Sequence, residues 1–156
     1  MLKKILIAVA IVLMAGGAFT VYGTYKVANL VIDENLKEHE PQLRQYVQMN
    51  EAQQNEYILT NANEIITASL ADAQPKDKEG MEALNRTKDD PIVQKAIINL
   101  GRSVMAKGIL RLDTLAKDMS PEIKAKYQKE SDSLKDNFMA YCKVAEEADA
   151  RIQTAS

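Results

Sequence analysis

The sequence predicts an all-α protein: an N-terminal transmembrane (or signal) helix followed by an elongated three-helix up-down-up bundle. Three observations carry this. Residues 5–25 are 21 consecutive uncharged, mostly apolar positions behind Lys3 and Lys4. The remainder is rich in Ala, Leu, Ile, Lys, Glu and Gln, with no Trp and 5% aromatic residues; such side chains lose little rotamer freedom in a helix, whereas sheets favour β-branched and aromatic ones. Finally, three later stretches repeat apolar residues at alternating three- and four-residue steps, the period of one buried helix face.

A helix of 21 residues covers roughly 32 Å, enough to cross a hydrocarbon core of about 30 Å. Ile5, Leu6, Ile7, Val9, Ile11, Val12, Leu13, Phe19, Val21 and Tyr22 form its lipid-facing surface. Lys3 and Lys4 favour the cytoplasmic side and send the rest outward. The expectation is a single-pass protein of a bacterial inner membrane, N-terminus cytoplasmic and C-terminus periplasmic. The alternative is a signal peptide: residues 5–14 form its apolar core, Gly16 and Ala18 supply the small residues of a cleavage site, and a periplasmic or secreted chain starts near Phe19. The domain division is 1–25 for the anchor or signal, 26–41 for a juxtamembrane helix and 42–156 for the exported bundle.

Beyond Lys3 and Lys4 the chain has 18 basic against 22 acidic side chains, a balance of −4. That mild acidity gives no footprint for nucleic acid. The one cysteine, Cys142, cannot form an internal disulfide.

Taking the elements in order, Pro41 either kinks the juxtamembrane helix or opens a new one. Residues 42–73 read as one long helix, its second half seamed by Leu59, Ala62, Ile66 and Leu70 with Ile58 and Ile65 alongside. Its first half is crowded with glutamine, and Asn50 falls where a seam residue belongs. Residues 74–80 are a turn region, and 81–86 a short helical turn. Asp90 then caps a helix with Pro91 at its first position. That helix runs to about residue 119 along Val93, Ile97, Leu100, Val104, Gly108, Leu112, Leu115 and Met119. Ser120 caps the last helix, which follows Ile123, Tyr127, Leu134, Phe138, Tyr141, Ala145, Ala148 and Ile152 to about residue 153. The short junction makes these two an antiparallel hairpin.

The chemistry is sparse. His39, the lone histidine, lies between Glu38 and Glu40 without the repeated Glu-x-x-His spacing of bundle metal sites, and reads as a surface residue. Cys142 lacks a nearby base. Glycine-rich phosphate loops, paired cysteines and Ser/His/Asp sets are missing from the sequence, so no catalytic residue, metal ligand or cofactor is assigned and no enzyme activity is expected. The polar stretch holding Tyr46, Gln53, Gln54 and Tyr57 is the candidate protein-partner contact, together with the loop 74–90. Gly101 and Gly108, with Val104, Met105 and Leu112, mark either close helix packing or an apolar ligand site. Gly16, Thr20 and Thr24 form a small-residue row in the anchor that suits helix–helix association, and hence a homo-oligomer. The expected function is a non-enzymatic accessory or scaffold subunit working through protein–protein contacts. The alternatives are a soluble bundle binding a small apolar ligand and a phage-type envelope lysis protein.

Overall fold

The computed structural model describes residues 39–71 and 78–155. The expected anchor, the juxtamembrane helix up to residue 38, the turn residues 74–77 and the side chains of Ile65 and Leu70 lie outside the described residues. Among those described, all regular structure is helical: α1 (Glu40–Gln48), α2 (Glu51–Ala71), α3 (Lys78–Thr87), α4 (Pro91–Arg111), α5 (Asp113–Ala116), α6 (Pro121–Asp132) and α7 (Leu134–Ala155).

Local chemistry sets each boundary. Pro41 stands in the first turn of α1, where its missing N–H has no partner to lose. The expected continuous helix over 42–73 is broken at Met49 and Asn50. Asn50 Oδ1 accepts from the Gln53 N–H at 2.9 Å while Gln53 Oε1 accepts from the Asn50 N–H at 3.0 Å. This reciprocal pair satisfies two otherwise orphaned donors at a helix start. Asn50 therefore interrupts the apolar pattern because it is an end marker.

The connection before α4 is also more ordered than its sequence suggests. Residues 78–87 form a helix of 10 residues, with Leu84 buried and Arg86 paired to Asp149 of α7 at 3.0 Å. A helix this short is marginal alone and draws its stability from packing. Asp90 caps α4 as expected, its Oδ1 accepting from the N–H groups of Ile92 (3.0 Å) and Val93 (3.2 Å). α4 stops at Arg111, earlier than the expected 119, because Leu112 turns extended; the short α5 then keeps Leu112 and Leu115 in the core. Ser120 caps α6, accepting from the Ile123 N–H at 3.3 Å. Ser133 separates α6 from α7, its hydroxyl donating to the Lys129 carbonyl at 3.0 Å, a back-bond that bends helices.

α4 is the centre. It packs against α1, α2, α5, α6 and α7, while α3 packs on α2 and α7. Cross-contacts give the directions. Arg102 meets Glu130, Ser103 meets Asn137 and Asp90 meets Arg151, so α6–α7 runs antiparallel to α4. Asn55 meets Arg102, and Lys88, just ahead of α4, meets Thr67, so α2 is antiparallel to α4 as well. Every residue of α4 from Gly101 to Ala106 is buried, as befits a helix surrounded on all sides. The seam of Val93, Ile97, Leu100, Val104, Leu112 and Leu115 lies in the core with Ile58, Ile66, Tyr127, Leu134, Phe138 and Tyr141. Ile123 is exposed.

Candidate functional site

Arg102 and Ser103 occupy the middle of the buried α4, where apolar residues would be expected. A desolvated guanidinium is costly unless its donors are used. Arg102 uses them: Nη2 and Nε donate to Glu130 Oε1 at 3.0 and 3.3 Å, and Nη1 to Asn55 Oδ1 at 2.9 Å. One side chain thus ties α2 to α6 across α4. Burial works against its charge, but Tyr46 and Glu130 outweigh that, and its proton is held more tightly than usual.

A second tie lies beside the first. Gln54 Nε2 donates to the Tyr46 carbonyl at 2.9 Å and to the Tyr127 hydroxyl at 3.5 Å, joining α2 to α1 and α6. The Tyr46 ring is fully buried and stands 6.2 Å from the Tyr57 ring at 52°. Burial raises the hydroxyl pKa of Tyr46 and Tyr127 above the ordinary tyrosine value, and that of Tyr57 up to about 12. A third tie joins α7 to α4: Asn137 Nδ2 donates to Ser103 Oγ at 2.7 Å and to the Asn99 carbonyl at 3.2 Å.

Outside these ties a groove of about 420 Å³ opens between α4 and the α6–α7 rod. Asn99, Arg102 and Ser103 form one wall, and Lys126, Lys129, Glu130, Ser133 and Asn137 the other. These groups donate and accept hydrogen bonds and carry charge of both signs, which suits holding a polar or charged ligand. A second cleft, of about 360 Å³, lies by Lys107, Leu110, Arg111, Gln128, Ser131 and Asp132.

The residues singled out from sequence fall as follows. Gln53 is exposed and Tyr57 half-buried, but Tyr46 and Gln54 are inside, so an incoming partner would not meet those two directly. The Gln54 amide and the Tyr46 carbonyl serve internal ties instead, while the buried Tyr46 hydroxyl makes no hydrogen bond among the described residues. Gly101 faces Ile58, and a Cβ there would overlap Ile58 Cγ2; glycine at this position allows α2 its close approach. Val104, Met105, Gly108 and Leu112 are buried in α4 and its end. The two clefts are lined by other residues. Cys142 is partly buried, and desolvation pushes its thiol pKa up, favouring the less nucleophilic protonated form. His39 is fully buried at the start of α1, correcting its reading as a surface residue.

Among the described residues no set of three or more His, Cys, Asp or Glu could hold a metal ion, and no helix is long and apolar enough to cross a membrane. Sequence reasoning missed Arg102, Glu130 and the two groove lysines. The available signal was the Arg102–Ser103 pair set within the apolar seam from Ile97 to Leu112. No protein-family model matches this chain, and no curated protein or solved structure matches it either.

Proposed function

We propose that this chain is a non-enzymatic accessory or scaffold protein, tethered by its opening helix to a bacterial inner membrane. Its exported helices, arranged as an up-down-up bundle, act through contact with another protein. The observation that carries the reading is the run of 21 uncharged residues behind Lys3 and Lys4, which matches the thickness of a bilayer core and the usual charge bias of a span. The charged groove on the α4 and α6–α7 pair, rather than the buried Tyr46 and Gln54, is the surface offered to that partner.

The test is the mass of the natural N-terminus combined with fractionation. The reading expects an uncleaved chain recovered with membranes, and a photo-crosslinker placed at Lys129 that captures a discrete protein in cells. A mature chain starting near Phe19 in the soluble fraction would overturn the tether.

A further inference from the structure

We propose that the groove between α4 and the α6–α7 rod binds an extended acidic segment of a partner protein. This deepens the partner-binding reading above and rests on it.

Charge is the first argument. The whole chain is acidic, with a formal net charge of −2, yet the groove holds Arg102, Lys126 and Lys129 against Glu130 alone. Arg102 and Glu130 neutralise one another at 3.0 Å. Lys126 and Lys129, one helical turn apart, are exposed and make no ion pair among the described residues. A local cationic strip on an acidic body steers carboxylates to one place and repels them elsewhere.

Hydrogen-bonding capacity narrows the ligand. The same wall offers an acceptor: Asn137 commits its amide nitrogen to Ser103 and Asn99, which leaves its side-chain oxygen for an incoming donor, whereas Glu130 Oε2 is buried. A peptide supplies carboxylates for the lysines and backbone N–H donors for the Asn137 oxygen. In a lipid headgroup the phosphodiester only accepts and a donor comes only from the hydroxyl or ammonium at its tip, whereas a peptide repeats its N–H donors at every residue along the wall. From Lys126 to Asn137 the wall runs about 16 Å along the helix axis, room for roughly five residues of extended chain. The Arg102 and Asn137 ties hold both walls in place beforehand, which lowers the ordering cost of binding.

The experiment uses the full chain in neutral nanodiscs and a fluorescent Glu/Asp-rich peptide, with a Lys-rich peptide of equal length as control. Anisotropy should show binding of the acidic peptide alone, weakening as salt screens the lysines. Lys126→Glu with Lys129→Glu should weaken it about tenfold or more, and Lys126→Gln with Lys129→Gln by less. Lys117→Glu with Lys143→Glu, exposed and outside the groove, should change it less than about twofold. Circular dichroism of each variant checks the fold. Absence of acidic-peptide binding up to millimolar concentration would overturn the proposal, as would equal losses from both pairs of charge reversals. Nanodiscs or vesicles of phosphatidylglycerol competing through Lys126 and Lys129 as well as the peptide would also overturn it, in favour of a lipid surface. The tether reading fails separately: a chain found soluble in cells that still binds the peptide loses the anchor and keeps the groove.

Discussion

The C-terminal rod, α6–α7, and the N-terminal arm, α1 and α2, lean on the same helix to different extents. α6–α7 joins α4 along its length through Tyr127, Leu134, Phe138, Tyr141 and Ala148, all buried. The arm, α1 and α2, contributes Leu43, Tyr46, Ile58 and Ile66 to the core, and its approach at the α1 end is fixed by Gln54 and by Asn55 on Arg102. Apolar contact is non-directional and scales with area, whereas hydrogen bonds to a fixed guanidinium demand one register. The rod therefore supplies much of the cohesion and also the polar ties beside the groove, through Glu130 on Arg102 and Asn137 on Ser103, while the register of the arm hangs on Gln54 and on the single Asn55 bond to Arg102.

The sharpest way to break this contrast is to damage the rod. Phe138 is 3% exposed in α7, and Phe138→Ala should destabilise the whole domain by about 3–5 kcal/mol, as cavities of that kind do. Urea denaturation followed by circular dichroism reads this directly. A loss confined to part of the helical signal would mean that the rod is not the common support.

Next comes the polar tie that Arg102 makes to the arm and to the rod together. Arg102→Met removes hydrogen bonds to a charged group and leaves Glu130 and Asn55 without their donor, a loss of about 2 kcal/mol. Hydrogen exchange should place the damage: amides of α2 around Asn55 and of α6 around Glu130 lose protection while those of α7 near Tyr141 keep it. Adding Glu130→Leu should recover more than half of the loss, because a carboxylate no longer stays desolvated without its counter-charge. Failure of the double variant to recover would show that Glu130 matters through other contacts.

This difference also explains what was legible in the sequence. The apolar face of α4 and its caps at Asp90 and Ser120 follow from periodicity and capping chemistry, both local properties of the chain. The break at Asn50 was visible only as a spoiled seam, since a capping box needs Gln53 read together with Asn50. α3 was underestimated because the contacts that hold it, such as Arg86 to Asp149, 63 positions away, are not local. The groove was invisible for the same reason: Arg102 and Glu130 are 28 positions apart, and neither the helical period nor any short motif links them. Tyr46 and Gln54 read as surface because they are polar, yet Gln54 fills its amide donors inside.

The smallest effect concerns how the arm's first helix is fastened. Glu40 Oε1 accepts from the Thr114 hydroxyl at 2.8 Å and from Arg44 Nη2 at 2.8 Å. The Thr114 hydrogen bond first, and Arg44 second, hold its carboxyl below the ordinary value of 4.5. A carboxylate with a lowered folded-state pKa adds stability that is complete above its unfolded value and lost as pH falls through the folded one. Glu40→Gln should therefore lower the urea midpoint slightly near about pH 7, and the gap to the parent chain should narrow as the pH is taken below the ordinary carboxyl value of 4.5. Arg44 lies on the same helix as Glu40, so that pair stiffens α1 without fastening it to anything. Thr114 belongs to α5, and Thr114→Val removes only the fastening. If the arm is held at this end by the hydroxyl, Thr114→Val should speed hydrogen exchange across α1 at neutral pH, and Arg44→Ala should do so far less. Equal acceleration by both would locate the effect in helix propensity and detach it from the comparison.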